Sequence, residues 1–215
     1  MNPAKIFNAL FDAVLPRSGR RQRSETHSLT DIPLSSASHD LLNAHILTLF
    51  DYREPVIADL IQSLKYDRSF HAARLCADVL ADYFREEAAS LRTMSTRRIL
   101  LVPVPLYRKR EQERGFNQVE TILRLLPAEF LNGQCTSVIP ALVRTRSTTQ
   151  QTRLPRADRI RNVAGAFELA HPSSVENAHV FLIDDVVTTG ATLTEAAKPL
   201  APYCASLTLI ALARA

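Results

Sequence analysis

One run near the C-terminus, VFLIDDVVTTGAT at residues 180–192, constrains the fold more than any other part of the chain. It begins with four apolar residues, which predict a buried strand of a parallel sheet, because such a strand is covered on both faces. Two carboxylates follow, and then a turn with three threonines and one glycine leads into a predicted helix over 193–200. This order of elements predicts a binding site at the carboxyl edge of an open α/β sheet.

The turn at residues 188–192 has the chemistry of a phosphate site. Backbone N–H groups at a helix start favour an anion, Thr188, Thr189 and Thr192 add hydroxyl donors, and Gly190 lets the backbone approach a ligand closely. The acidic pair repels phosphate, but it accepts hydrogen bonds from sugar hydroxyls or shares a metal ion with a polyphosphate. A phosphorylated ribose that carries pyrophosphate satisfies both halves. A simple helix cap is the alternative, although a cap requires neither two adjacent acids nor three threonines.

The run resembles the signature with which type I phosphoribosyltransferases bind phosphoribosyl pyrophosphate (PRPP), and it matches that signature in residue class at every position. The resemblance implies that Asp184 and Asp185 bind the 2- and 3-hydroxyls of the ribose. The residues implied to bind the 5-phosphate are Val187, Thr188, Thr189, Gly190, Ala191 and Thr192. The expected fold class is α/β, namely a type I phosphoribosyltransferase fold with a central, mostly parallel twisted sheet flanked by helices and preceded by a helical N-terminal region.

Length and composition limit the remaining classes. A chain of 215 residues with 46% apolar residues is sufficient for one domain with a sizeable core. Because no apolar stretch approaches the roughly 18 residues that span a bilayer, and the N-terminus lacks a signal-peptide pattern, we expect a cytoplasmic protein without membrane insertion. Three cysteines, Cys76, Cys135 and Cys204, lie far apart without metal-ligand spacing, and we expect them to be reduced.

Positive charge is concentrated in the middle of the chain. Residues 92–161 contain 14 Lys and Arg against 5 Asp and Glu, whereas the remainder contains 12 against 17. Nearly all of these cations are arginine, whose planar guanidinium suits phosphate. We therefore expect this segment to face an anion. The surplus beyond what a pyrophosphate needs suits nucleic acid, although scattered solvated arginines are the more common explanation of such an excess.

Periodicity and helix breakers divide the chain into two parts. Residues 1–45 are predicted to hold a helix over 4–15 and a basic, flexible linker over 16–40, and residues 46–215 to form the phosphoribosyltransferase-like domain. Residues 41–52 fit a strand or a helix. Helices are predicted over 55–66, 70–91 and 117–126, and strands over 99–105, 138–143, 163–169, 178–183 and 206–212. Residues 144–161 have almost no apolar face, which is typical of a functional loop or lid.

Two further segments carry phosphate-binding chemistry. The first joins the strand end VPVPL at 102–106 to RKREQERGFNQ at 108–118, where Arg114 places a guanidinium beside the free N–H groups of a helix start. The second is RTRSTTQQT at 144–152, followed by RNVAGAF at 161–167. Taken singly, each segment is also compatible with a polar helix start or a solvated loop.

Together with the C-terminal run, these segments are similar to those of the ComF/GntX family of phosphoribosyltransferase-like proteins. The similarity covers about Tyr52 to the C-terminus, and LKY at 64–66 resembles a family motif on the helix before the core. Family members commonly carry a four-cysteine zinc module after a Leu-Pro pair. Here SGRRQR at 18–23 stands where cysteines are expected, so we expect no zinc site in the protein. This basic run suits either electrostatic binding of nucleic acid or a solvated linker.

The resemblance also implies a reaction. Phosphoribosyl transfer breaks the bond between the anomeric carbon and pyrophosphate, so positive charge builds on the sugar and negative charge on the leaving group. We expect Mg²⁺, held mainly by PRPP with Asp184 or Asp185 as further ligands, and arginines to neutralise the pyrophosphate. The implied catalytic residues are Asp184, Asp185, Arg144 and Arg146, and the implied pyrophosphate contacts are Pro105, Leu106 and Arg114. Residues 144–161 would then be the lid.

No acid or base for an acceptor is visible in the motifs, so three functions stay open. The family resemblance favours a part in natural competence, in which imported single-stranded DNA is handled inside the cell and a competence helicase is a candidate partner. A phosphoribosyltransferase with an unidentified acceptor is another. A non-catalytic regulator that senses PRPP or a nucleotide and binds nucleic acid is the third, because fold alone does not settle function.

Overall fold

The computed structural model describes residues 17–107, 115–131, 136–146 and 156–215. Its strands are β1 (Ala37–Leu41), β2 (Ala44–Asp51), β3 (Ile99–Pro103), β4 (Thr136–Val138), β5 (Leu142–Arg144), β6 (Phe167–Leu169), β7 (His179–Val187) and β8 (Ser206–Arg214). Its helices are α1 (Arg17–Thr26), α2 (Pro55–Gln62), α3 (Phe70–Met94), α4 (Gln118–Arg124), α5 (Ala128–Leu131), α6 (Arg156–Val163) and α7 (Ala191–Ala197). A π-helical turn, Ser63–Asp67, continues α2.

Six of the strands form one sheet in the order β1-β2-β8-β7-β3-β4. Only β1 and β2 pair antiparallel, and every other neighbouring pair in this sheet is parallel. Strand β3 is buried along its whole length, as is β7 up to Ile183, which explains their unbroken apolar runs. Strands β5 and β6 form a separate antiparallel hairpin. The expected fold class, a mostly parallel sheet flanked by helices, is confirmed.

Two apolar cores, one on each face of the sheet, hold the helices in place. On one face, α2, α3, α4 and α5 pack together, and the Phe84 ring lies 5.4 Å from Phe181 and 6.0 Å from Phe130 between ring centroids. On the other face, α7 and the β5–β6 hairpin cover Val180 and Leu182. Successive residues of β7 therefore point toward different sets of helices.

The prediction that residues 16–40 form a flexible linker is wrong over the described part, which contains α1 and β1. Helix α1 has no apolar stripe, and tertiary contacts hold it instead: Arg23 Nε lies 2.9 Å from Asp59 Oδ2 on α2, and Ser24 is buried. Strand β1 is an edge strand with alternating exposure, so it needs few apolar residues. It pairs with β2. The predicted boundary between the two parts of the chain, at residue 45, lies inside β2. The predicted helix over 4–15 lies outside the described residues.

Two predicted strands are shorter or divided. The stretch 138–143 holds the end of β4 in the main sheet and the start of β5 in the hairpin, and Pro140 separates them because it cannot donate a ladder hydrogen bond. The strand predicted over 163–169 shrinks to β6, since α6 continues to Val163 and Gly165 turns the chain at φ +63. Helix α6 occupies part of the predicted lid, and residues 147–155 lie outside the described residues.

Candidate functional site at the carboxyl edge of the sheet

The C-terminal run forms an open depression at the carboxyl end of β7. Asp184 and residues 186–193 line it, and it holds about 200 Å³ including the space open to solvent. The strand, the turn at 188–190 and the first turn of α7 are consecutive in the chain, so local folding is sufficient to assemble this wall. The structure therefore brings together Asp184 and all the residues that the sequence assigned to phosphate binding in this run.

Gly190 sets the shape of the turn. It precedes α7 with φ +83, and a Cβ at this position would lie 2.8 Å from Leu41 Cβ and 3.1 Å from Ile46 Cδ1. Thr189 is buried, and its hydroxyl oxygen accepts a hydrogen bond from Ala191 N at 3.3 Å. Because α7 is only seven residues long, the capacity of this turn for an anion comes from its N–H groups and threonine hydroxyls rather than from a long helix dipole.

The two aspartates lie inside β7 rather than after it. Asp184 pairs in register with Ala211 of β8, and the ladder continues to Val187. Asp184 lines the depression, and its Oδ1 accepts a hydrogen bond from Asp185 N at 2.9 Å. Asp185 does not line the depression; it follows Asp184 at the same edge of the sheet, with Oδ2 3.2 Å from Lys65 Nζ on the π-helical turn. Adjacent carboxylates are thus divided between the two faces of the sheet.

The Asp184 carboxyl group ionises less readily than an ordinary aspartate. Burial raises the pKa of Asp184 to about 7, and the neighbouring charge of Asp185 adds to the rise. The hydrogen bond from Asp185 N and the cations Lys65 and Arg144 oppose it without cancelling it. At neutral pH the Asp184 carboxyl group can therefore accept a hydrogen bond from a hydroxyl group when ionised, or exchange a proton with one.

The predicted catalytic arginines occupy different surroundings. Arg144 ends β5, its Cζ lies 5.1 Å from the Phe167 ring centroid, and its charge acts on Asp184. Arg146 is exposed and donates hydrogen bonds to the carbonyl oxygens of Ala164 and Asn162 at the end of α6. The structure thus brings Arg144 toward the acidic pair, whereas Arg146 contacts the residues that directly follow the predicted lid. Arg114 lies outside the described residues.

The residues that directly follow the predicted lid are also joined to α7 by a hydrogen bond. Gly165 N donates a hydrogen bond to Glu195 Oε1 at 2.7 Å, and Glu195 also pairs with Lys198. Thr145 N donates to Ala166 O at 3.0 Å, which continues the β5–β6 hairpin. The start of the predicted lid is therefore hydrogen-bonded to the chain that follows the lid, and that chain is hydrogen-bonded to α7.

The VPVPL strand end and the described residues 115–118 form one unit. Val104 N donates to Ile183 O at 2.8 Å, and Pro105 and Leu106 follow it, half-buried, at the same edge of the sheet as Asp184. Asn117 joins the two segments: its Oδ1 accepts hydrogen bonds from Val119 N and Glu120 N at the start of α4, and its Nδ2 donates to Val104 O at 3.1 Å.

Sequence reasoning gave no role to two basic residues near this edge. Lys65 reaches Asp185, and Arg68 Cζ lies 5.3 Å from the Phe116 ring centroid. Gly115 has φ +79, a conformation that favours glycine, and the Arg68 guanidinium lies against it. The LKY motif at 64–66 was the only sequence signal for Lys65, because its partner is 120 residues away in the chain.

A tightly bound protein metal site does not form in the described parts of the chain, where no group of three or more His, Cys, Asp or Glu side chains could hold a metal ion. Asp184 and Asp185 fit Mg²⁺ only as one or two oxygen ligands beside phosphates. Cys76 and Cys204 are both free thiols, and Cys135 lies outside the described residues. None of the helices described is both long enough and apolar enough to cross a membrane.

Comparison with known proteins gives three informative relatives, while no family model matches the chain. The chain is 35% identical over 154 residues to "DNA utilization protein YhgH" of Escherichia coli K12, which covers 71% of the chain and 64% of the relative. It is 32% identical over 148 residues to "Competence protein F" of Haemophilus influenzae, covering 68% and 62%. It is 33% identical over 99 residues to "Competence protein ComFC" of Bacillus subtilis, covering 46% and 37%. The matched part of the chain thus spans just under two thirds of the first two relatives.

Proposed function

Because this chain belongs to the ComF family, we propose that it binds PRPP with Mg²⁺ beside Asp184 and that it acts inside the cell in the use of incoming DNA. Two relatives are named for competence and one for DNA utilization, which supports the DNA role. The matched relatives extend beyond the part that this chain spans, so their activities are carried over here as a proposal.

The observation that carries the sugar-phosphate half is the shared depression of Asp184 and the 188–192 turn. The turn supplies N–H and hydroxyl donors to a phosphate, and the neighbouring carboxylate accepts hydrogen bonds from hydroxyl groups. A free phosphate would give the carboxylate no hydrogen-bond donor, and an unphosphorylated sugar would give the donors of the turn no anion. PRPP would bind both, through its ribose hydroxyl groups and its 5-phosphate. Its pyrophosphate would extend toward Pro105 and Arg144.

In this proposal, different residues of the chain bind different parts of PRPP. Asp184 and Asp185 orient the ribose through its hydroxyl groups, and Arg144 faces the charge that develops on the leaving pyrophosphate. Mg²⁺, when bound with PRPP, would neutralise part of the same charge. Closing of the 144–161 segment would exclude water from the sugar.

Phosphoribosyl transfer to an acceptor is a second candidate, and the raised pKa of Asp184 favours it over passive sensing. A carboxyl group with a pKa of about 7 can hold or release a proton at neutral pH, as general acid–base catalysis requires. Release of pyrophosphate from PRPP only when an acceptor is added would support the transferase. Binding without turnover would support the regulator.

Calorimetric titration of PRPP with Mg²⁺ into the full chain tests the proposal. We expect binding by the wild type and a loss of about tenfold or more in Asp184→Asn, which removes the carboxylate and keeps its shape. Asp82→Asn is the matched control, because Asp82 is an exposed acid paired with Arg85 on α3. A folded wild type that takes up no PRPP would overturn the sugar-phosphate half.

A titration of labelled single-stranded DNA at two salt concentrations tests the DNA half separately. Binding through arginines to phosphates weakens steeply as salt rises. We expect Asp184→Asn to retain this DNA binding, since removal of a negative charge does not weaken attraction to a polyanion. Absence of salt-dependent DNA binding by the wild type would contradict direct contact with DNA.

A further inference from the structure

We propose that Lys65 is a positioning residue of this site, whose ammonium group fixes the Asp185 carboxylate as the charged acceptor for a sugar hydroxyl. The inference rests on the proposed function, because it assigns a role within the same site. Its basis is the contact between the π-helical turn and β7, which no motif of the sequence indicated.

The contact is a partly buried ion pair. Lys65 Nζ lies 3.2 Å from Asp185 Oδ2, and the two side chains are 20% and 18% exposed. By contrast, Arg74 and Asp78 on α3 pair at the same 3.2 Å with side chains that are 52% and 32% exposed. An ion pair with less solvent access is screened less by water and salt, so Lys65 acts more strongly on its partner.

The backbone that carries Lys65 is unusual. Helix α2 does not continue as an α-helix but widens into the π-helical turn Ser63–Asp67, and Arg68 closes it with φ +52 and a hydrogen bond from its N–H to Ser63 O. Wide turns of this kind are rare and occur often at functional sites. A non-glycine residue in the left-handed region also costs free energy that the surrounding structure must supply. Both deviations fall in the segment that carries Lys65 toward β7.

Packing holds this segment on both sides of Lys65. Leu64 is 2% exposed in the core beneath the sheet, and Arg68 lies over the Phe116 ring. The segment 64–68 therefore contacts both Asp185 and the chain that follows the VPVPL strand end. A lysine held in this way can fix the direction of the carboxylate that it contacts.

The charges around the acidic pair explain why a fixed cation is useful. Asp184, Asp185, Lys65 and Arg144 are the charged groups that act on the pair, and two adjacent carboxylates repel each other. The ammonium group of Lys65 lies directly against one member of this pair, Asp185, whereas Asp184 lines the depression. The pair is thus unsymmetrical in its contacts: Asp185 has a cation fixed beside it, and Asp184 faces the depression.

A double-mutant cycle on PRPP–Mg²⁺ binding, measured by calorimetry on the full chain, tests this role. We expect Lys65→Met to weaken binding about tenfold or more and Lys65→Arg to retain most of it, because arginine keeps the charge. Lys65→Met added to Asp185→Asn should cause little further loss, because Lys65 acts through Asp185. Arg74→Met, which removes the exposed pair on α3, is the matched control and should bind as the wild type does.

Two results would overturn the inference: wild-type affinity in a folded Lys65→Met protein, or losses that multiply in the double variant. If Lys65→Met lacks a cooperative melt, Asp185→Asn decides, since removal of the carboxylate that Lys65 holds must weaken binding in a folded protein. Wild-type affinity in Asp185→Asn would then overturn it. A wild type that binds no PRPP is a different result, because it defeats the proposed function itself.

Discussion

At the scale of single residues, Asp184 holds a carboxyl group where its charge is unfavourable for the fold. Its pKa of about 7 lies above the ordinary value of 3.8, so the folded protein binds the proton more tightly than the unfolded chain does. The stability that this proton contributes is present at low pH and is lost as pH rises from about 4 to about 7. At neutral pH the buried carboxyl group of Asp184 thus lowers the stability of the folded protein.

Asp184→Asn should therefore gain stability over the wild type as pH rises. Between pH 5 and pH 8 we expect the difference in the free energy of unfolding to grow by on the order of 2 kcal/mol in favour of the variant, because asparagine has no charge to bury. Urea unfolding at the two pH values measures it, with Asp82→Asn as the exposed control. Equal pH slopes for wild type and Asp184→Asn would contradict the raised pKa.

Gly190 and Gly165 allow a matched test of backbone strain. Both have positive φ, but a Cβ at Gly190 would meet Leu41 at 2.8 Å, whereas nothing lies within 4 Å of one at Gly165. Gly165→Ala should cost about 1 kcal/mol for the left-handed conformation alone. Gly190→Ala should cost about 2–4 kcal/mol and reduce PRPP binding, since the turn must shift. Denaturant unfolding compares them, and equal losses would mean that the contact with Leu41 is unimportant.

At the scale of elements, helices and strands with strong apolar periodicity could be predicted from the sequence. Elements that depend on tertiary contacts could not. Strand β7 and helix α3 were predicted because long apolar patterns are fixed by burial within the element itself. Helix α1 was missed, since its sequence RSGRRQRSET has no apolar stripe and its contacts lie on α2. The π-helical turn was also missed, because no local residue pattern distinguishes a wide turn from the end of an α-helix.

The same distinction applies to the candidate site. Asp184 and the 188–192 turn could be found from the sequence because they are consecutive, so their chemistry is visible as one motif. Lys65 and Arg144 approach the acidic pair only through the packing of distant elements. Arg146 was grouped with Arg144 because the family resemblance implied both, and the structure shows it donating hydrogen bonds to carbonyl oxygens at the end of α6.

Helix α4 depends on Asn117 for two separate contacts. The side chain caps the helix through Oδ1 and holds the end of β3 through Nδ2, and the residue is buried. Asn117→Ala should cost about 2–3 kcal/mol, more than Ser69→Ala, which removes a single cap hydrogen bond from α3 and should cost about 1 kcal/mol. Asn117→Asp keeps the cap and removes the donor to Val104 O, so an intermediate loss is expected. Thermal or urea unfolding ranks the three, and a different order would contradict the double role.

The β1–β2 hairpin has an unfavourable residue at its turn. Leu42 and Asn43 both have positive φ, 50 and 62, as a type I′ turn requires, and Leu42 is 40% exposed. Asparagine tolerates this region better than leucine, and Leu42 belongs to neither of the two apolar cores. Leu42→Asn should therefore stabilise the protein by about 1 kcal/mol, with PRPP binding unchanged. Chemical denaturation tests this, and destabilisation would show that the leucine side chain packs more than its exposure indicates.

At the scale of the whole molecule, the site joins both faces of the sheet. Helix α7 and its turn belong to one face, the π-helical turn belongs to the other, and β7 contributes one aspartate to each side. Such a position at the carboxyl edge is where open α/β sheets bind ligands. A ligand that spans the turn and the acidic pair therefore stabilises contacts made by elements of both cores.

Ligand-linked stability measures this connection in the intact chain. A ligand that binds only the folded state at 100 times its dissociation constant adds about 2.7 kcal/mol, which raises Tm by roughly 5–10 °C for a domain of this size. We expect PRPP with Mg²⁺ to produce this shift and pyrophosphate with Mg²⁺ to produce a smaller one. Pyrophosphate lacks both the 5-phosphate assigned to the turn and the ribose hydroxyl groups that would donate hydrogen bonds to the aspartates. In Asp184→Asn the advantage of PRPP over pyrophosphate should shrink. An equal advantage in both proteins would mean that the sugar binds away from β7, even though the phosphate occupies the turn.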